Sequence, residues 1–230
     1  YRRQRQMCKE TGTIGINGCL ESFEYVCTHT LAGFWKDENY PEYLKHCLSI
    51  IQNLNKEALA DYGVRFNTEF VPAENLGIKN AKWDTEDDLW VPRYCYNSYF
   101  YPVEDEDWNL LDKIKIHGKE VSQYLDGGAA LHLNLQRTPT KAEALRLIET
   151  NIRHGVPYWT TNVLCTVCKS CGHIDPNYSK TCPKCDSIYV DYGTRVIGYL
   201  KLISSFSTGR QQEAALRAYH NTGGIKIVSN

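Results

Sequence analysis

An α/β fold is the class this sequence predicts, on two observations. Short β-prone segments alternate along the chain with longer stretches whose apolar residues recur every three or four positions. Glycine, proline or a capping residue stands where each stretch must start or stop. With 230 residues and 42% hydrophobic content, the chain can bury one large core or two small ones. Its 26 basic and 27 acidic residues nearly cancel, to a net charge of -1, so no overall positive field recruits nucleic acid. No apolar run approaches a membrane span and no secretory signal is visible, so a cytoplasmic protein with no membrane contact is expected. The first residue is Tyr1, followed by a polar, basic stretch, and the chain is expected to be part of something longer.

Taken in order, residues 13–16 (TIGI) read as a short strand. Gly18 then opens a helix to about Lys36, with Leu20, Phe23, Cys27, Leu31 and Phe34 on one face. Pro41 suits a first helical turn, and 43–62 carries the stripe Leu44, Cys47, Leu48, Ile51, Leu54 until Gly63 stops it. Residues 64–71 form a strand running into PAENLG, where Pro72 can begin a helix. DTEDD at 84–88 reads as a solvated loop, 94–103 as an aromatic strand, and 104–125 as one helix ended by Gly127 and Gly128. Alternation at 129–135 puts Leu131, Leu133 and Leu135 on one strand face. Thr140 caps a helix over 141–154, stopped by Gly155. A strand at 158–164, a β-like run through 190–200 and a helix over 211–219 complete the pattern.

Ten cysteines are present, and four of them form two C-x-x-C pairs, Cys168/Cys171 and Cys182/Cys185, ten residues apart. Each pair makes a tight knuckle, and two knuckles surround one ion with four thiolates. Zinc suits that soft donor set better than iron, and four protein ligands leave no open position, so a structural site is expected. Cys165 makes a further C-x-x-C with Cys168, leaving it as an alternative ligand; Gly172, able to turn left-handed after Cys171, favours the later pair. Reduced, metal-bound cysteines in a chain of this length point to a reducing compartment. Disulfides are the competing account.

Ten residues beyond the cluster comes RVIGYL at 195–200. Read without context, Gly198 is a bulge in a strand. Following a CxxCG–CPxC cluster, the motif resembles that of the anaerobic (class III) ribonucleotide reductases, a family of glycyl radical enzymes. TIGING (13–18), PAENLG (72–77), YNSYFYPV (96–103), GGAALHLNL (127–135) and GRQQEAALRAYHN (209–221) support the resemblance, which covers most of the chain as the family's C-terminal half.

That resemblance implies the C-terminal part of a ten-stranded α/β barrel at 1–160, a four-cysteine zinc module at 161–190, and a glycyl radical loop with a C-terminal helix at 191–230. It implies that Gly198 holds the radical, generated by a radical-SAM activating enzyme with a [4Fe-4S] cluster. A glycine has no Cβ to crowd the flattened, delocalised radical carbon. The radical would oxidise a cysteine to a thiyl that attacks the ribose of a ribonucleotide. No motif here marks that thiyl cysteine, so it is expected in the preceding half, on the same or a separate chain, and the full enzyme is expected to be a homodimer. The loop resembling T-x-F-V-P-A-E places substrate phosphate near Thr68, Pro72, Ala73 and Glu74; Glu74 as a plain helix cap is the alternative. Asn97 and Ser98 are candidates to face the ribose. The competing functions are another glycyl radical enzyme, which would lack the four cysteines, and a non-catalytic zinc ribbon, which needs a basic surface that Asp175, Asp186 and Asp191 offset.

Overall fold

The structure, a computed structural model, describes residues 11–29, 39–70, 76–97, 99–195 and 200–222. Four strands, β1 (Thr11–Gly15), β2 (Arg65–Phe70), β3 (Gly128–Leu135) and β4 (Tyr158–Val163), pair in parallel in the order β1-β2-β3-β4. Parallel neighbours need crossovers. Helices α1 (Cys19–His29) and α2 (Tyr40–Tyr62) lie between β1 and β2 in sequence, and α3 (Leu76–Glu86), α4 (Leu110–Ile116) and α5 (Lys119–Ser122) between β2 and β3. Helix α6 (Lys141–His154) connects β3 to β4. Each new strand is added to the same edge, the strand order of a barrel wall, where a doubly wound sheet would reverse direction. Among the described residues no helix is long and apolar enough to cross a membrane.

Local chemistry explains where these elements begin and end. Pro41 sits in the first turn of α2, and Gly63, at φ 65°, ends the helix with its N–H on the Leu59 carbonyl. Thr140 and Glu143 form a capping box on α6, and Gly155 closes the other end at φ 68°.

On β3, Leu131, Leu133 and Leu135 are completely buried and share one core with Leu44, Leu48, Ile114 and Leu147 from the helices. The opposite face is polar and also buried: His132, Asn134 and, beside Asn134 in register on β4, Asn162 are each 2% exposed or less. That polar face positions everything described below.

Several segments differ from their sequence reading. Among the described residues of the aromatic run 94–103 there is no strand. Asn97 takes over its backbone, accepting from the Tyr99 amide at 3.0 Å and donating to the Tyr101 carbonyl at 2.5 Å, while Tyr99, Phe100 and Tyr101 are wholly buried. The expected helix over 104–125 is two short ones. Asn109 caps α4, and at Gly118 the chain passes so close to α6 that a Cβ would lie 2.6 Å from the His154 carbonyl oxygen. Helix α3 reaches Glu86, into the stretch expected as loop. The last helix, α7 (Thr208–Leu216), starts and ends about three residues early.

A second, antiparallel sheet follows, in the order β6-β5-β7-β8, from β5 (Cys165–Cys168), β6 (Ile174–Asp175), β7 (Val190–Thr194) and β8 (Lys201–Leu202). The expected module boundary at 190/191 falls on the first residue of β7.

Replacing Leu133 by Ala should cost about 2–5 kcal/mol, because this fully enclosed site between sheet and helices cannot collapse around the cavity. A urea midpoint lowered with unchanged slope would report it.

Candidate functional site

The sulfurs of Cys168, Cys171, Cys182 and Cys185 all lie within 4.8 Å of one another. Cys168 faces Cys185 at 3.7 Å, and Cys171 faces Cys182 at 3.7 Å. Four sulfurs bonded at about 2.3 Å around one tetrahedral ion stand about 3.8 Å apart, whereas a disulfide requires about 2.05 Å. All four are free thiols. The donor set therefore fits a soft divalent ion such as zinc. Cys165 is not among the four. Its sulfur lies against Gly193, where a Cβ would come within 2.5 Å of it.

The two knuckles repeat one design. After the second cysteine of each pair comes a left-handed residue, Gly172 at φ 72° and Asp186 at φ 56°. Their amides donate back to the carbonyls of Cys168 (3.0 Å) and Cys182 (2.9 Å). The turn also aims amides at sulfur: Cys171 N–H at Cys168 Sγ and Lys184 N–H at Cys182 Sγ, both 3.4 Å. The Cys171 amide holds the Cys168 thiol down at about 6, ready to ionise as a ligand. Asp186 carried little sequence signal, since aspartate adopts a left-handed turn far less often than glycine does.

The cluster is tied directly to the RVIGYL segment. Strand β5, which ends at Cys168, pairs along β7 from Cys165↔Gly193 to Cys168↔Val190. Strand β7 then pairs with β8, Thr194 opposite Lys201. Residues 195–200, Gly198 among them, thus connect β7 to β8, and β7 is laddered to the four-cysteine knuckle through β5. Gly198 itself lies outside the described residues.

The base of the β7–β8 hairpin sits on the buried polar face of the first sheet. Asn162 Oδ1 accepts from the Arg195 amide at 2.9 Å and from the Thr194 hydroxyl at 3.2 Å. Its Nδ2 donates to Asn134 Oδ1 at 2.8 Å. From the other side, Arg217 donates to the Arg195 carbonyl at 2.6 Å and to Glu213 at 2.6 Å. Arg210 also pairs with Glu213. Burial opposes ionisation of Glu213, but the two arginines outweigh it and hold its carboxyl below the usual range. Beyond α7 the chain returns along β3: the His220 amide donates to the Asn134 carbonyl, and the Gln136 amide to the His220 carbonyl. Tyr99 hydrogen-bonds His132 Nδ1 at 2.8 Å, and Lys113 donates to His220 Nε2 at 2.7 Å. This network escaped sequence reading because its members are scattered polar residues; its one hint was polar residues alternating with leucine in HLNL.

The expected substrate residues are only partly placed. Thr68 is buried at the end of β2, its hydroxyl accepting from Asn55 of α2 at 2.9 Å. Pro72, Ala73, Glu74 and Ser98 lie outside the described residues. Asn97 is spent on its own loop and is 2% exposed. Cys95 and Cys19 are pushed up by burial, Cys95 to about 12, as inert core thiols are. Of the lysines near the cluster, Lys169 is paired with Asp191 at 3.0 Å.

The profile of the anaerobic ribonucleoside-triphosphate reductase family matches residues 2–220. A solved structure described as an anaerobic ribonucleotide reductase is 28% identical, with a TM-score of 0.77 over 92% of this chain and 34% of its own. The Thermotoga maritima anaerobic ribonucleotide reductase in complex with dATP and CTP is 29% identical, with a TM-score of 0.72 over 88% of this chain and 33% of its own. The same enzyme with glycerol in its active site gives 29% identity and a TM-score of 0.70, over 88% and 32%. The chain thus spans about a third of the length of the solved structures it matches. No curated protein matches it.

Two outcomes follow from this geometry. Metal analysis should find about one zinc per chain, lost in Cys182→Ser, whose sulfur is wholly buried in the cluster. The histidines predict acid lability. Burial lowers His117 to about 3, His132 to about 4 with help from Arg217 and Arg195, and His220 to about 4 with help from Lys113. The unfolded chain therefore binds these protons more readily, and the stability gained by keeping the rings neutral is complete above about 6.5 and lost as pH falls toward 4. Glu213, held low, acts in the same sense at lower pH, while Glu21, raised by burial, opposes it. Melting temperature should drop steadily from pH 7 to pH 4, and a flat profile would contradict the buried histidines.

Proposed function

The chain belongs to the anaerobic ribonucleoside-triphosphate reductase family, and on that premise we propose that it is the radical-storing part of such a reductase, with the electron on Gly198. The observation that carries this reading is the hairpin. Its connecting residues include Gly198, its first strand is laddered to the four-cysteine knuckle, and its base is hydrogen-bonded to the buried polar face of the parallel sheet.

In this reading 1–160 is barrel wall, 161–190 the zinc module and 191–230 the radical loop with its C-terminal helix. A radical-SAM activating enzyme with a [4Fe-4S] cluster removes the Gly198 α-hydrogen as an atom. Gly198 later regains a hydrogen atom from a cysteine thiol, leaving a thiyl. That cysteine belongs to the preceding half of the reductase, in the same or a separate chain. The thiyl takes the 3′ hydrogen of a ribonucleotide, the 2′ hydroxyl leaves as water, and an external two-electron reductant completes the deoxyribose as the 3′ hydrogen is returned. Zinc at Cys168, Cys171, Cys182 and Cys185 supplies a fixed cross-link with no open position, and so stays outside the nucleotide chemistry. The segment after β2, with Thr68 before it and Pro72, Ala73 and Glu74 within it, is the proposed phosphate contact. It lies at the carboxyl end of a parallel strand and is followed by α3, whose N-terminal amides favour an anion. The working enzyme is a cytoplasmic homodimer.

Anaerobic incubation of the complete reductase with activase and S-adenosylmethionine should give a glycine-centred EPR doublet. Gly198→Ala should abolish it and deoxynucleotide formation together. A doublet that survives the substitution would sink the assignment.

A further inference from the structure

We infer that Asn162 and Arg217 are positioning residues: together they clamp the backbone of Arg195 onto the sheet and thereby set where Gly198 can reach. The inference rests on the reading of Gly198 as the radical carrier.

The clamp grips main chain on both sides. The Arg195 amide donates to Asn162 Oδ1 at 2.9 Å; the Arg195 carbonyl accepts from Arg217 at 2.6 Å and, more weakly, from Asn162 Nδ2 at 3.4 Å. Both gripping side chains are themselves held. Asn162 is fixed by Asn134 and by Thr194, whose hydroxyl lies 3.0 Å from its Nδ2. Arg217 is fixed by Glu213 and lies over the Tyr99 ring, 5.6 Å from its centre. Asn162, Thr194, Arg217 and Glu213 are at most 7% exposed.

Such a cluster is an expensive way to cover a sheet. Asparagine is a poor strand former, and a buried arginine–glutamate pair is often no more stabilising than well-packed apolar residues of the same volume. What apolar residues could not do is bind both the N–H and the C=O of one particular residue.

The geometry shows why that residue matters. Three peptide links separate Arg195 from Gly198, so their α-carbons are at most about 11 Å apart. The far end of the connection is fixed where Lys201 pairs with Thr194. Hydrogen transfer between radical centres depends steeply on distance, and a misplacement of about 1 Å can cost a hundredfold. Activation makes a different demand, since the activase needs only to reach Gly198. A loosened clamp therefore separates the two steps: the radical still forms, while its use in turnover fails.

The test uses the complete reductase carrying Asn162→Ala or, as a milder change that keeps the charge, Arg217→Lys. Zinc content and far-UV circular dichroism establish that a variant is folded; if Asn162→Ala is not, Arg217→Lys decides. The glycyl doublet should appear at or above the wild-type initial rate, while turnover per radical falls about tenfold or more with the nucleotide KM within about twofold. Turnover per radical equal to wild type would overturn the inference. A proportional loss of radical and turnover would overturn it too, since that marks a merely structural role. Absence of any doublet in the wild type would remove the Gly198 reading and this inference with it, whereas a normal wild-type doublet with unaffected variants sinks the inference alone.

Discussion

One short ladder holds this molecule's working parts together: β5 against β7, from Cys165↔Gly193 to Cys168↔Val190. A four-residue antiparallel pair has little stability by itself. It is supported at one end by the four-sulfur cluster, whose knuckles fix the backbone through left-handed residues and amides turned to sulfur. At the other end it becomes the hairpin. An ion at the sulfurs would add a cross-link worth more than the strands could supply. Gly193 shows how tight the arrangement is, since any side chain there meets the Cys165 sulfur. The spare cysteine in the sequence is thus a packing residue laid against a position that admits no Cβ.

The hairpin would be of little use without a surface to receive it. β3 turns three leucines toward the helices and, on alternate positions, turns His132 and Asn134 the other way, where Asn162 joins them. A buried polar face is costly unless each group is matched. Here most of the matching comes from distant chain: the 99–101 turn, Thr194 and Arg195 at the hairpin base, Arg217, and His220 running beside β3; Asn134 Nδ2 is left without a partner. Lys113 and His220 illustrate the electrostatic balance. Burial lowers Lys113 to about 8, and it donates to a ring that burial, helped by the lysine charge, keeps neutral. Polar contact thus draws three separate stretches of the chain over one face, and the last of them, 217–222, lies along the edge of the same strand pair.

Sequence reading was most reliable where a residue's role is local. The Pro41 start and Gly63 stop of α2, the Thr140 cap and Gly155 stop of α6, and the leucine alternation of β3 all follow from conformational preference or period, and all lie within a few residues of where they were expected. It failed where tertiary contact overrides propensity. The aromatic run 94–103 has the composition of a strand, but Asn97 captures its backbone and three successive rings, Tyr99, Phe100 and Tyr101, are all buried in the core. Helical spacing across 104–125 could not reveal that α6 passes close enough at Gly118 to require a break.

By itself the sequence determined the α/β class, the pairing of cysteines into two knuckles and the nearness of Gly198 to them along the chain, because spacing and periodicity are properties of neighbours. Only the tertiary structure decided that Cys165 stands apart from the four clustered sulfurs, that Asp186 mirrors Gly172, and that the Arg195 backbone is held between Asn162 and Arg217. Asn162 and Arg217 stand 55 positions apart in the chain and carry no motif. What joins them is the requirement that a residue's backbone N–H and C=O, laid against a sheet, find an acceptor and a donor, and folding alone determines which residues arrive there to supply them.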